Sequence, residues 1–172
     1  VEKEQLDTAA FVDVIGKADM ERLGGFSAYD ILKRNGGLNF TSHMPFGLHM
    51  GDMSSSIGFR GLKNGELVLL NGLSVMDPSY GYYDVDMIPA AFLERIEVVD
   101  GAASTLYGSQ AMTGVINMQL VSPGPQRITG EAQGGSHSSF RGSGLYRNEY
   151  FVAGVAYNRA DKLTDLRKYY SA

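Results

Sequence analysis

Two loops and one strand hold the side chains with chemistry to offer. The first loop runs from Thr41 to Met53 and carries His43, Met44, His49, Met50 and Met53. Imidazole and thioether together suit a soft or borderline metal, or the face of a haem-like ligand, but this spacing dictates no coordination geometry. The second loop, Pro78 to Asp84, presents Tyr80, Tyr82 and Tyr83. Such rings stack on a ligand while their hydroxyls hydrogen-bond, and they serve equally well as packing. In the strand Arg95-Ile96-Glu97-Val98-Val99 the alternation sets Ile96 and Val98 on one face, leaving Arg95 and Glu97 on the other, at least as a surface ion pair. No catalytic constellation accompanies them. Glu94 and Glu97 lack a third group for acid–base work. The glycine-punctuated run Tyr107 to Gly114 lacks the Lys of a phosphate-binding loop. The chain therefore does not read as an enzyme, and neither a cofactor nor a metal site is assigned.

The elements that position these groups change texture near Val121-Ser122-Pro123-Gly124-Pro125. Before that break, short strands and helices alternate. Ala10 to Ile15 reads as a strand and Ala18 to Leu23 as a helical turn or two. Ser27 sits where an N-cap belongs, ahead of a helix through Arg34 that Gly36-Gly37 stops. Asn64-Gly65 and Asn71-Gly72 both tolerate the positive φ of a type I′ turn. They predict a meander of Ser56–Leu62, Glu66–Leu70 and Leu73–Met76. Pro89 to Leu93 predicts a short helix, and Arg95–Val99 and Gly114–Met118 two further strands. After the break, Ile128–Gly134, Phe140–Arg147 and Phe151–Tyr157 alternate as strands, the last two joined by a turn at Asn148-Glu149. One face of the third carries Phe151, Ala153, Val155 and Tyr157. An aromatic at each end of an apolar face suits a lipid-facing strand; a soluble antiparallel sheet fits the same pattern. The expected division is residues 1–122 and 123–172.

Composition narrows the classes. Hydrophobic residues make up 44% of the 172 and charged residues 20%, enough apolar mass for a packed core. A net charge of −4 with no basic patch argues against nucleic acid. Cysteine is absent, which excludes disulfides and thiolate metal sites. No apolar run approaches the ~18 residues of a membrane-spanning helix.

The stretch Glu94-Arg95-Ile96-Glu97-Val98-Val99-Asp100-Gly101, continuing through Tyr107-Gly108 to Gly114-Val115-Ile116-Asn117, resembles the signature of TonB-dependent outer-membrane receptor plugs. Upstream, Ile57-Gly58-Phe59-Arg60-Gly61 and Leu67-Val68-Leu69-Leu70-Asn71-Gly72 resemble the family's next two motifs, in the same order. Asn71 stands where Asp is usual, Asp100 where a basic residue is common and Ala102 where Pro is usual. The resemblance implies an α+β plug domain, a small mixed sheet with short helices, followed by antiparallel β-strands of an incomplete transmembrane β-barrel. It implies gating of the uptake of a scarce large cargo: a ferric siderophore, haem, cobalamin or oligosaccharide.

By the same resemblance, Arg60, Arg95 and Glu97 lock the plug to the barrel wall, where a buried charge needs a partner. The His/Met and Tyr loops face the ligand side; for the His/Met loop, apolar packing under a barrel constriction is favoured over metal or haem contact. Asp7-Thr8 resembles the start of a TonB box, although it runs straight into the first plug strand, and a box preceding Val1 is the favoured expectation. The implied partners are TonB with ExbB–ExbD, the rest of the barrel, outer-membrane lipid and a small-molecule cargo. The implied location is the outer membrane of a Gram-negative bacterium, the plug in the lumen facing the periplasm. Three strands cannot close a barrel, so the expectation is a fragment or one piece of a split receptor. The rival reading is a free-standing soluble periplasmic ligand-binding module on the same fold, which would need a polar surface after Pro123.

Overall fold

The computed structural model describes residues 11–35, 38–41, 56–59, 62–63, 66–75, 85–101, 107–108, 110–135 and 139–159. The chain divides into two compact units, Val1–Ser122 and Pro123–Ala172.

The first unit is built on a mixed sheet. Its strands are β1 (Phe11–Gly16), β5 (Glu66–Leu70), β6 (Leu73–Ser74), β7 (Leu93–Asp100) and β8 (Gly114–Leu120), in the order β1-β7-β8-β5-β6. Only β5 and β8 run parallel. A separate small sheet joins β2 (Leu38–Thr41), β3 (Ser56–Phe59) and β4 (Leu62–Lys63). The expected three-strand meander is therefore corrected. β4 pairs with β3, whereas β5 pairs with β6 and β8 in the other sheet. The reason is burial: Glu66 to Leu69 are buried on both faces, and a strand buried on both faces belongs inside a sheet. The second Asn-Gly turn forms as expected, with φ of 50° at Asn71 and 79° at Gly72.

Helices α1 (Lys17–Leu23) and α2 (Ala28–Asn35) cover one face of this sheet. Ile15, Ile31, Leu32, Val68, Ile96 and Ile116 meet there in a continuous core. The start of α2 is a reciprocal cap. The Asp30 amide donates to Ser27 Oγ at 3.3 Å, and Asp30 Oδ2 accepts from the amides of Phe26 (3.1 Å) and Ser27 (3.4 Å). Gly24 ends α1 in the left-handed region, and Arg34 of α2 donates to the exposed carbonyls of Leu23 and Gly24. Gly25 has to be glycine, because an added Cβ would lie 2.7 Å from Asp30 Cβ. Pro89 is the N-cap of a 3₁₀ turn at Ala90–Phe92, rather than the first residue of an α-helix.

The second unit is an open antiparallel sheet of β9 (Arg127–Gly135), β10 (Ser139–Arg147) and β11 (Val152–Arg159), in the order β11-β10-β9. Asn148 shapes the β10–β11 turn. Its Oδ1 accepts the amides of Tyr150 and Phe151, both at 2.9 Å. No helix among the described residues is long and apolar enough to cross a membrane, which says nothing of crossing by strands.

Candidate functional site

Arg95 and Glu97 belong to a polar relay on the sheet face opposite the helices. Arg95 Nε donates to Glu97 Oε1 at 2.8 Å, and Asn117 Nδ2 donates to Glu97 Oε2 at 2.9 Å. Glu97 and Asn117 are register partners across β7 and β8, so their side chains leave the sheet on the same side. The relay continues to the β5–β6 turn, where the Gly72 amide donates to Asn117 Oδ1 at 3.2 Å. Asn71 Oδ1 accepts the Leu120 amide at 2.9 Å, and the Asn71 amide donates to the Met118 carbonyl at 2.8 Å. Half of the Glu97 carboxylate thus neutralises Arg95 while the other half orients Asn117, which fastens the turn to the end of β8. The ion pair is neither fully exposed nor core: Arg95 is 42% and Glu97 26% exposed. In the sequence Asn117 figures only as the end of the Gly114–Asn117 motif, with no role of its own, because a lone amide in an apolar strand gives no local signal.

Elsewhere in the first unit, Glu66 and Asp100 each stand opposite Gly114, one on either side of β8. Glu66 shares the core-facing side of its strand with Val68, as Asp100 does with Ile96 and Val98, and Glu66 is 2% exposed. Lys17 grips the far end of the sheet. Its ammonium donates to the carbonyls of Ala91 and Leu93, both at 3.1 Å, and to that of Ala90 at 3.4 Å.

The second unit is two-faced. The register aligns Ile128 with Tyr146, Gly130 with Gly144 and Ala132 with Gly142. It continues across to Ala153, Val155 and Tyr157. That face is apolar, and Ile128 (77%), Val155 (69%) and Tyr157 (57%) lie open on it. Tyr146 and Phe151 pack at one end with ring centroids 5.7 Å apart. Phe140, whose ring covers Gly142, and Tyr157 mark the other end. Tyr146 and Phe140 lie six steps apart along their strand, as do Phe151 and Tyr157; at about 3.4 Å per step that is about 20 Å. The opposite face carries Arg127, Thr129, Glu131, Gln133, Arg141 and Ser143, and Ser143 Oγ donates to Glu131 Oε1 at 3.2 Å. One oily face and one polar face on strands of nine, nine and eight residues suit a strand between lipid and an aqueous lumen.

Among the expected site residues, the structure brings Arg95 and Glu97 together. Arg60, the loop residues His43, Met44, His49, Met50 and Met53, the tyrosines Tyr80, Tyr82 and Tyr83, and Asp7 and Thr8 lie outside the described residues.

The family model of the TonB-dependent Receptor Plug Domain matches residues 4–115. The chain belongs to that family. Vitamin B12 transporter BtuB of Vibrio cholerae is 31% identical over 156 residues, 90% of this chain and 24% of that protein. Its counterpart in Vibrio vulnificus is 35% identical over 121 residues, 69% of this chain and 19% of that protein. The plug chain thus spans about a quarter or less of these curated relatives. The pyoverdine outer membrane receptor FpvA from Pseudomonas aeruginosa has the same fold, with a TM-score of 0.73 at 17% identity over 92% of this chain and 23% of that one. The ferric-catecholate import receptor Fiu from E. coli aligns with a TM-score of 0.61 at 25% identity, over 81% of this chain and 19% of that one. These relatives are transporters and receptors rather than enzymes, in keeping with the absence of a catalytic set in the plug sequence.

Proposed function

We propose that this chain is the plug and opening barrel strands of a TonB-dependent outer-membrane transporter, gating energy-coupled uptake of a scarce large nutrient. The observation that carries this is the two-faced sheet of the second unit. A free-standing soluble module would need polar groups where Ile128, Val155 and Tyr157 stand open, so that alternative is not favoured. In this reading the apolar face meets lipid, the polar face lines the lumen, and the remaining strands close the barrel.

TonB, energised by ExbB–ExbD, engages an extended N-terminal segment, for which Asp7 and Thr8 are one candidate. The loops bearing His43, Met44, His49, Met50 and Met53, and Tyr80, Tyr82 and Tyr83, face the cargo. Arg60, Arg95 and Glu97 make the contact with the barrel wall, Arg95 and Glu97 doing so as an ion pair that Asn117 also joins. Among ferric siderophores, haem, cobalamin and oligosaccharides, a corrinoid is the first cargo to test, because the curated relatives above are vitamin B12 transporters.

The test is uptake of labelled cyanocobalamin by a host lacking its own B12 receptor, supplied with the full-length protein, with and without TonB. TonB-dependent accumulation supports the corrinoid reading. TonB-dependent growth on a ferric siderophore without cobalamin uptake keeps the transporter reading and replaces the cargo. Recovery of the protein from the soluble periplasm, with none in the outer membrane, overturns the transporter reading.

A further inference from the structure

The Asn71–Gly72 turn is exposed at the tip of the β5–β6 hairpin, with both residues at positive φ. Asparagine followed by glycine is the pair whose side-chain amide is most easily lost without an enzyme. The glycine nitrogen attacks the asparagine Cγ and ammonia leaves. Water then opens the resulting five-membered succinimide to aspartate or to isoaspartate. One water enters, one ammonia departs, and nothing is oxidised or reduced.

That attack needs two freedoms. The Gly72 nitrogen must give up its proton, and the Asn71 carboxamide must swing toward it. Both are engaged here. The Gly72 N–H donates to Asn117 Oδ1 at 3.2 Å, and Asn71 Oδ1 accepts the Leu120 amide at 2.9 Å. Asn117 is itself held by Glu97 Oε2 at 2.9 Å. We infer that the Asn71–Gly72 turn is a deamidation site kept latent by the fold, with Asn117 as the positioning residue that occupies the attacking nitrogen. The inference is independent of the cargo and of the barrel.

Its consequence follows from what the turn fastens. Isoaspartate would insert a methylene into the backbone between the Asn71 amide, bonded to the Met118 carbonyl, and the Gly72 amide, bonded to Asn117. The end of β8 would lose its clamp. Conversely, any opening of the β8 end frees the turn to react, so deamidation at this position records how often that end has opened.

The experiment incubates the folded protein and its urea-denatured form at mildly alkaline pH and follows Asn71 by peptide mapping, resolving aspartate from isoaspartate. The expected result is deamidation in the folded protein slower by about tenfold or more, since reaction must wait for local opening. Asn117→Ala should raise the folded rate several-fold, short of the denatured rate because the Leu120 amide still holds the Asn71 carboxamide. Circular dichroism identifies any variant that fails to fold, and the folded-against-denatured comparison of the unaltered chain stands without the variant. Equal rates in folded and denatured protein, or no acceleration in a folded Asn117→Ala variant, overturn the inference.

Discussion

Asn117 hands one hydrogen atom of its side-chain amide to Glu97 across the β7–β8 pair, 2.9 Å from Nδ2 to Oε2. The two residues are 20 apart in sequence yet opposite in register. Asn117→Ala removes this bond and the acceptor for Gly72 together. The expected loss is about 0.5–1.5 kcal/mol of unfolding free energy, because Glu97 Oε2 is part-buried while the Gly72 amide is open to water. Urea titration measures it. Combined with Glu97→Ala, the double variant should lose less than the sum of the single losses, since both act through one contact.

Gly25 tests how tightly the N-cap of α2 is fitted. Alanine there would set its Cβ 2.7 Å from Asp30 Cβ and 3.0 Å from Ile31 Cδ1. The helix start must shift, so Gly25→Ala is expected to destabilise by about 1–3 kcal/mol. By contrast, Ser27→Ala removes the cap bond to the Asp30 amide and should cost about 1 kcal/mol. Denaturant midpoints of the two variants rank the effects, and a Gly25→Ala variant as stable as the parent refutes the tight fit.

Lys17 holds three carbonyls at the junction of the Ala90–Phe92 turn and β7. Lys17→Met keeps the stem and removes the donors. The expected cost is about 1–3 kcal/mol, since hydrogen bonds to a charged group are the stronger ones. Amide exchange should rise first at Val121, whose N–H donates to the Phe92 carbonyl (2.9 Å), and at Phe92, whose N–H donates to the Pro89 carbonyl (3.0 Å), both beside that junction. Exchange that changes uniformly along the chain would mean that Lys17 does not act locally.

On the proposed transporter reading, the two faces of the β9–β11 sheet make opposite predictions for the full-length protein. Val155→Arg places a charge on the apolar face and should cost about 2–4 kcal/mol if that position lies near the middle of the bilayer. Gln133→Arg, on the polar face, should be tolerated. The fraction of folded barrel recovered in the outer membrane, read by heat-modifiable gel mobility, compares them. Equal recovery would remove the lipid-facing assignment.

Much of this protein is determined by short stretches of its sequence. Ser27 and Asp30 place the start of α2, and Asn71-Gly72 sets its own turn. The alternation after Pro123 yields three strands with an oily side. Each depends on neighbours a few residues away, so period and capping chemistry suffice to read it. The order of motifs from Ile57 to Asn117 likewise pointed to the family before any packing was known.

Tertiary structure alone decided which strands meet. The Asn64-Gly65 signal suggested that Ser56–Leu62 and Glu66–Leu70 would pair, yet burial on both faces sends β5 to a parallel partner 48 residues on, with Glu66 opposite Gly114. The same holds for the polar contacts. Lys17 reaches Leu93 across 76 residues, and Asn71 reaches Leu120 across 49. No local pattern specifies such pairs, because a lone lysine or asparagine looks alike whether it meets water or a distant carbonyl. Their partners exist only once the sheet has brought both ends of the chain to one face.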